Sequence, residues 1–119
     1  MAHDARSIAH AYFRRWTEQR FEDAIALLDA SLVVEVPIND YPTRESFGQA
    51  LAGFGAIVER VEMLSELGDD EEAMQLYDMQ VAGLGTMRIA EHFTVRDGKI
   101  VRLRQVHDTA SLRAAGFGS

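Results

Sequence analysis

A single carboxylate interrupts an otherwise apolar strand face in the third quarter of the chain. Alternate residues of a strand point to opposite sides, and four of the five residues on one side of the run Thr86–Val95 are apolar. These four are Met87, Ile89, Phe93 and Val95. The fifth is Glu91, and a lone carboxylate on an apolar face is costly unless it is paired, protonated or facing a cavity. Glu91 is therefore a candidate catalytic residue. In the alternative interpretation it forms an inert buried pair with His107 or Tyr12.

His107 is the predicted proton acceptor. It shares one face of the last strand with Val101, Leu103 and Gln105, so the polar members of this face lie at one end. Histidine changes protonation near neutral pH, which suits proton transfer. A histidine base oriented by a carboxylate could abstract a proton next to a carbonyl group, or support dehydration or cyclisation. In the alternative interpretation His107 caps a carbonyl group or pairs with Asp108.

The strand Met74–Val81 leaves open which of its faces points inward. Both faces contain apolar side chains, because one carries Leu76 with Asp78 and the other carries Tyr77. If the first face is inward, Asp78 joins Glu91 in one polar cluster and is a further catalytic candidate. If it is outward, Asp78 is a solvated surface residue.

An amphipathic helix is predicted at the start of the chain. Asp4 is a suitable N-cap, and Ile8, Tyr12 and Trp16 recur every four residues on one stripe of a helix that runs to about Gln19. Tyr12 could donate a hydrogen bond to the carbonyl oxygen of a substrate. Trp16 is expected to be pocket wall or core.

The remaining elements predict an α+β domain in which helices are segregated from an antiparallel sheet. After the first helix we expect a short helix, a strand that its proline places at a sheet edge, a third helix capped by Thr43, and four strands. The expected short helix and edge strand are Glu22–Leu28 and Leu32–Pro37. The strands would form a curved sheet that the early helices close into a cup, all within one domain of residues 1–119.

Composition excludes several functional classes. The chain has 119 residues, of which 47% are hydrophobic and 26% charged, a normal balance for a folded domain. Its net charge of −7 and the lack of a basic stripe argue against nucleic acid as a partner. No apolar run approaches the roughly 20 residues of a membrane span. Because the chain has no cysteine, disulfides and thiolate chemistry are excluded. The scattered histidines predict no metal site. We expect a cytoplasmic protein, and we expect it to need no cofactor.

The chain resembles the nuclear transport factor 2-like superfamily, which includes ketosteroid isomerases and SnoaL-like polyketide cyclases. The resemblance rests on the segments Ala11–Leu28, Val33–Pro37 and Ala90–Val101, and it extends over nearly the whole chain. It implies a cone-shaped, cystatin-like α+β barrel with a central pocket. It also implies a homodimer formed across the outer sheet face. The outer face predicted from strand alternation carries Arg88, Ala90, His92, Arg102, Arg104 and Val106.

The resemblance can be followed residue by residue at the site. In ketosteroid isomerases a helix tyrosine and a protonated aspartate form an oxyanion hole, and a second aspartate moves the proton. Tyr12 and Glu91 match the first two positions, whereas Val36 stands at the third and cannot move a proton. The cyclases carry an aspartate on the last strand where this chain has Gln105, which can donate a hydrogen bond but cannot act as a base.

These observations predict a small-molecule pocket protein of the SnoaL-like type. It would act as a cofactor-independent isomerase, cyclase or dehydratase on a small apolar carbonyl compound by proton transfer. The two missing family bases favour the alternative, a non-catalytic module that binds a hydrophobic ligand or a dimeric interaction domain. Beside Trp16 and Gln105, the expected pocket residues are Val36, Asp40, Phe54, Leu76, Met87, Ile89, Phe93 and Leu103.

Overall fold

The computed structural model describes residues 4–117, so residues 1–3 and 118–119 of the predicted domain lie outside the described residues. Its four helices are α1 (Ala5–Thr17), α2 (Phe21–Ile25), α3 (Arg44–Gly55) and α4 (Ala110–Ala114). Its five strands are β1 (Leu28–Glu35), β2 (Val58–Gly68), β3 (Glu72–Val81), β4 (Gly85–Arg96) and β5 (Lys99–Val106). The predicted α+β class is confirmed. Within residues 4–117, no helix has the length and apolar character needed to cross a bilayer.

All five strands form one curved sheet in the order β1-β5-β4-β3-β2. The last four strands follow one another as antiparallel neighbours, whereas β1 lies at the edge and runs parallel to β5. The edge position predicted for this strand is correct, but its start is not. Leu28, expected to end a helix, is fully buried in β1 opposite Ile100. Because Leu28 pairs with β5, α2 ends at Ile25, three residues before its predicted end.

Tight turns join the strands that build the concave face. Gly83 and Gly85 have φ values of 80° and 81° in the β3–β4 turn. Asp97 and Gly98 have φ values of 51° and 75°, the pair of positive φ angles that a two-residue hairpin with matching twist requires. These short connections fix the register of β4 between β3 and β5.

Helix α1 packs across the concave face of the sheet. The Asp4 carboxylate accepts a hydrogen bond from the Ser7 backbone N–H at 2.8 Å, which confirms the predicted cap. The predicted stripe of Ile8, Tyr12 and Trp16 is buried. Helix α1 therefore presents Tyr12 and Trp16 toward the interior of the cup.

The inner face of the sheet follows from strand register. All the inward residues predicted for β4 are buried, and Glu91 is among them. Directly opposite residues share a face, and β3 places Gln75 opposite Glu91 and Tyr77 opposite Ile89. The inward face of β3 is therefore the Tyr77 face.

A bulge alters the predicted alternation on β5. Thr94 pairs with Arg102 and Val95 pairs with Ile100, so Val101 has no partner of its own on β4. Ile100 and Leu103 are consequently both buried. The bulge lies below the end of β5 that carries Gln105, which faces inward as predicted.

Candidate active site

A cavity of about 170 Å³ lies between the concave face of the sheet, helices α1 and α3, and the loop after β1. Most of its lining is aromatic or aliphatic, and the polar groups converge at one end of β5. Nine of the residues predicted to form the site line it: Tyr12, Trp16, Val36, Phe54, Met87, Ile89, Glu91, Gln105 and His107. The cup predicted from strand alternation and helix placement therefore encloses a real space.

Glu91 is the central polar group of this cavity. Its side chain is 1% exposed. The Tyr77 hydroxyl donates to Glu91 Oε1 at 2.9 Å, and Gln105 Nε2 donates to Glu91 Oε2 at 2.7 Å. Burial raises the pKa of the Glu91 carboxyl group to about 7, although the hydrogen bonds from Gln105 and Tyr77 oppose the rise. A carboxyl group with a pKa near the working pH is suited to both taking and returning a proton.

Tyr12 offers a second polar atom to the cavity. Its ring is buried edge-on against Phe93, with 5.8 Å between ring centroids, and the residue lines the cavity. Burial raises the pKa of the Tyr12 hydroxyl well above its usual value, and the charge of Glu91 raises it further. Tyr12 therefore stays neutral and keeps its hydrogen. Because Tyr12 lines the cavity, its hydroxyl is placed to donate that hydrogen to a ligand.

Aromatic packing holds the Tyr77 hydroxyl in place. The Tyr77 ring lies 5.4 Å from the Phe13 ring and 5.9 Å from the Trp16 ring, centroid to centroid. Phe13 and Trp16 also pack edge to face on α1 at 5.7 Å. Because two residues of α1 clamp the ring, Tyr77 has little freedom to turn away from Glu91. Helix α1 thus supplies one functional side chain and orients another.

His107 lies at the cavity wall but is not paired with Glu91. Its Nδ1 is 3.0 Å from the backbone carbonyl oxygen of Asp108, which agrees with the carbonyl-capping interpretation of this residue. Gln105, two residues earlier on the same side of the chain, is the residue that donates a hydrogen bond to Glu91. The buried pair of Glu91 with His107 that the sequence suggested is therefore wrong. A catalytic role for His107 stays a prediction.

The inward placement of Asp78 and Leu76 is wrong. Both lie on the outer face of β3, because register puts Tyr77 inside. Asp78 accepts two hydrogen bonds from Arg88, at 2.7 and 2.9 Å, and this pairing lowers the pKa of the Asp78 carboxyl group. A solvated ion pair on the convex face is separated from the cavity by the sheet itself.

Three further pocket assignments are corrected by the structure. Asp40 is exposed, and its neighbours Asn39 and Tyr41 line the cavity instead. Phe93 and Leu103 face inward but are fully buried beneath the cavity floor and do not line it. Strand alternation identifies the inner face correctly, but it does not tell a floor residue from a residue in the core below it.

Sequence reasoning missed several residues that complete the site. The most important is Tyr77, whose inward position follows from the pairing of β3 with β4 and not from the sequence of β3, since both faces of that strand carry apolar side chains. The others come from α3, from the inner face of β3 and from the C-terminal segment. They include Phe47, Leu51, Met79, Leu112 and Phe117. The two C-terminal residues follow the last strand in a segment too short for a clear periodic pattern.

The structure also bears on metal binding. Among residues 4–117, no three histidine or acidic side chains stand close enough together to hold a metal ion. The polar side chains that line the cavity instead include one carboxyl group, two carboxamides, an imidazole and tyrosine hydroxyl groups. This set suits hydrogen bonding and proton transfer to an organic ligand.

Several solved structures are similar to this chain over most of its length and of their own. A protein from Kribbella flavida DSM 17836 has a TM-score of 0.89 and 29% sequence identity, over 97% of this chain and 94% of its own. An LEH-like epoxide hydrolase from M. tuberculosis has a TM-score of 0.71 and 17% identity, over 90% and 84% of the two chains. A de novo designed protein with a curved β-sheet reaches 0.78 at 20% identity, over 92% and 91%. No protein of curated function matches the sequence.

The likeness to the epoxide hydrolase and to the designed protein shows the fold alone, because this scaffold carries many functions. The family assignment rests on sequence instead. The sequence profile described as "SnoaL-like domain" matches residues 9–103 and so covers most of the chain. This chain belongs to the SnoaL-like domain family.

Proposed function

We propose that this protein catalyses proton transfer on a small apolar carbonyl compound bound in the cavity, as an isomerase, cyclase or dehydratase that needs no cofactor. The observation that carries the proposal is Glu91, a carboxyl group that is 1% exposed, has a pKa of about 7 and lines an apolar cavity. In an apolar pocket, a few convergent polar groups orient the ligand and determine its chemistry.

The size of the cavity favours a ligand with one ring or two small rings. A dry cavity of roughly 150 Å³ is enough to bind benzene, and this one measures about 170 Å³. The lining side chains Trp16, Phe47, Phe54 and Met87 are apolar or aromatic. A compact ring carrying one carbonyl group would fill the apolar part and leave its oxygen for the polar end.

The proposed reaction assigns Glu91 as the base and Tyr12 as the hydrogen-bond donor. The Glu91 carboxylate takes a proton from the carbon next to the carbonyl group, and the electron pair of the broken C–H bond moves to form an enolate. The Tyr12 hydroxyl donates to the oxygen on which this charge develops. Neutral Glu91 then returns the proton. In a β,γ-unsaturated substrate the γ-carbon takes the proton as the double bond moves next to the carbonyl group, giving an isomer; in a β-hydroxy substrate the hydroxyl group takes it as its C–O bond breaks, giving an unsaturated product and water.

The assignment differs from the sequence prediction, in which His107 was the base and a carboxylate oriented it. Three observations favour Glu91: its burial, its position in the cavity wall, and the two donors that hold its oxygens. Tyr77 and Gln105 orient the carboxyl group and keep its ionised form accessible. The Nδ1 atom of His107 is turned to a backbone carbonyl group instead.

Deuterium exchange tests the proposal without knowledge of the natural substrate. Acetophenone and cyclohexanone are incubated with protein in D₂O, and loss of the proton signal next to the carbonyl group is followed by NMR. We expect exchange above the buffer rate, with Glu91→Gln slowing it by about 10²- to 10⁴-fold. Asp78→Asn, which changes a carboxylate on the outer face, serves as the matched control. Equal exchange by wild type and Glu91→Gln would refute the assignment.

A second candidate is non-catalytic binding of a hydrophobic ligand in the same cavity. Val36 lines the cavity at the position where the resembling isomerases carry a base, and this observation favours it. The same NMR samples separate the two functions. Saturable binding of a probe that is recovered without deuterium would support a binding module.

A further inference from the structure

A polar row crosses the concave face of the sheet at the level of Glu91. Glu66 on β2 lies opposite Gln75 on β3, and Gln75 lies opposite Glu91 on β4. Glu91 in turn lies opposite Gln105 on β5. Four neighbouring strands thus each place a carboxyl or carboxamide group in a single line, in a face that is otherwise apolar.

Hydrogen bonds fix the orientation of Gln75 in this row. Its Nε2 donates to Glu66 Oε2 at 2.9 Å and to the backbone carbonyl oxygen of Ala9 at 3.1 Å. The other oxygen of Glu66 is 2.9 Å from His10 Nδ1 at the surface of α1. Because the Gln75 nitrogen meets two acceptors, a flipped carboxamide would bring its oxygen against both of them, and the observed orientation is the favourable one.

The oxygen of the same carboxamide has no partner. Gln75 is 2% exposed, and within residues 4–117 no donor reaches its Oε1 atom. A buried acceptor without a donor is unfavourable. The next residue in the row is Glu91, and directly opposite side chains in a sheet have Cβ atoms about 4.5–5.5 Å apart. A neutral carboxyl group has an O–H donor to offer, whereas an ionised one has none.

We propose that Gln75 is a positioning residue of this site, whose carboxamide oxygen accepts the hydrogen of neutral Glu91 while its nitrogen holds helix α1 near Tyr12. The inference rests on the proposed function, because it concerns the group assigned there as the base. Ala9 lies one helical turn before Tyr12 and Phe13 on α1. Gln75 would therefore fix both the protonation state of Glu91 and the helix that carries the hydrogen-bond donor.

The other groups around Glu91 show why a partner for its neutral form matters. Tyr77 and Gln105 donate to the carboxyl oxygens and favour the ionised form. Helix α3 and the C-terminal segment present apolar side chains to the cavity, such as Phe54 and Leu112. Among residues 4–117, the other polar or titratable groups around this region include Tyr12 and Trp16 from α1, Tyr41 and Asn39 from the loop after β1, and His107. Glu66 from β2 lies at the end of the row, where His10 at the surface of α1 contacts it. Within the row, the Gln75 carboxamide oxygen is a buried acceptor that no donor of residues 4–117 reaches, so it is free to receive a proton-bearing oxygen.

The sign of a change in the Glu91 titration tests the proposal. Protein labelled with ¹³C-glutamate is titrated by NMR, and the Glu91 signal is assigned by its loss in Glu91→Gln. Glu66→Gln is the reference background, so that no charge is left unpaired when Gln75 is changed. In that background we expect Gln75→Met to lower the Glu91 midpoint by about one pH unit, since the acceptor for the neutral form is lost.

Loss of polarity alone would act in the opposite direction. Methionine makes the surroundings of Glu91 more apolar, which disfavours the ionised form and raises the midpoint. An unchanged or raised midpoint in Gln75→Met would therefore overturn the proposal. Gln80→Met, on the exposed face of β3, is the matched control and should leave the midpoint unchanged.

A second measurement needs no substitution at Gln75 and covers the case in which Gln75→Met does not fold. The carboxamide carbon of Gln75 in the wild-type protein should shift with pH at the Glu91 midpoint, and Glu91→Gln should abolish the shift. A carboxamide signal that ignores the Glu91 titration would overturn the proposal. Both readouts are free of substrate. If deuterium exchange survived Glu91→Gln, the proposed function would fail while the titrations still decided the pairing.

Discussion

The Tyr77 hydroxyl donates to Glu91 Oε1 across 2.9 Å, although the two residues are not register partners. Tyr77 lies opposite Ile89, two positions before Glu91 on β4, so the hydrogen bond runs diagonally across the inner face. Burial favours the neutral form of Glu91, whereas this bond and the one from Gln105 favour its ionised form. The two opposing effects leave the pKa of the carboxyl group in the neutral range.

Removing the Tyr77 hydroxyl should raise the pKa of Glu91. Tyr77→Phe keeps the ring packed against Phe13 and Trp16 but deletes one of the two donors that stabilise the carboxylate. We expect the midpoint to rise by roughly half to one pH unit, and the pH profile of any turnover to move in the same direction. The measurement is a ¹³C NMR titration of Glu91. Tyr41→Phe, which alters another cavity tyrosine, should not change it, and a fall in the Tyr77→Phe midpoint would contradict the account.

Stability should fall as pH rises through the range set by Glu91. The pKa of this group is about 7 in the folded chain against an ordinary value of 4.5. Between these values the unfolded chain has lost the proton and the folded chain retains it, so unfolding releases a proton and higher pH favours it. The destabilisation is on the order of 3 kcal/mol by pH 7.5 and is absent below pH 4.5.

Urea unfolding of wild type and Glu91→Gln across pH 4.5–7.5 checks this stability effect. The difference in unfolding free energy between the two proteins isolates Glu91, because every other titrating group is common to both. We expect the difference to shift in favour of Glu91→Gln as the pH rises. A difference that stays constant with pH would show that Glu91 has an ordinary pKa.

Asp78→Asn should leave ligand binding and turnover unchanged. Asp78 pairs with Arg88 on the convex face, where solvent screens the pair and surface ion pairs contribute little. The measurement is probe affinity and deuterium exchange beside those of the wild type and of Glu91→Gln. A loss of exchange comparable to that of Glu91→Gln would mean that the convex face takes part in the chemistry.

The convex face is also where we predict a homodimer. Val106 is 70% exposed there, and the ion pairs Arg88–Asp78 and Arg104–Glu35 lie on the same side of the sheet. A charge placed at Val106 would be costly to bury between two sheets. Val106→Glu should therefore shift the protein to monomer in sedimentation at micromolar concentration. Gln49→Glu, which adds the same charge at an exposed position of α3, should remain dimeric. A monomeric wild type would refute the prediction.

The sequence was sufficient for the strand face around Glu91 and for the helix that carries Tyr12, because each has a clean period. It was insufficient for β3, where Leu76 and Met74 on one face and Tyr77 and Met79 on the other give no contrast between inside and outside. Which face of β3 points inward is decided by its pairing with β4, which places Gln75 opposite the inward residue Glu91. The error over Asp78 and the omission of Tyr77 share this one cause.

Two other misses come from long-range packing. Leu28 leaves its expected helix because β1 pairs with β5, more than seventy residues later in the chain, and places it opposite Ile100. Leu112 and Phe117 close the cavity although the segment that carries them follows the last strand. A periodic pattern contains no information about such partners. The edge position of β1 was predictable because it rests on a local feature, Pro37 at the end of the strand.

A ¹³C NMR titration of Glu91 in the unmodified protein tests the central claim most directly, because it requires no substrate. The account predicts a midpoint within about one pH unit of 7, so that the carboxyl group is neutral at pH 5 and largely ionised at pH 8.5. A midpoint below pH 5, as in a solvated glutamate, would mean that Glu91 is permanently ionised near neutral pH. Such a result would contradict its proposed role of taking and returning a proton.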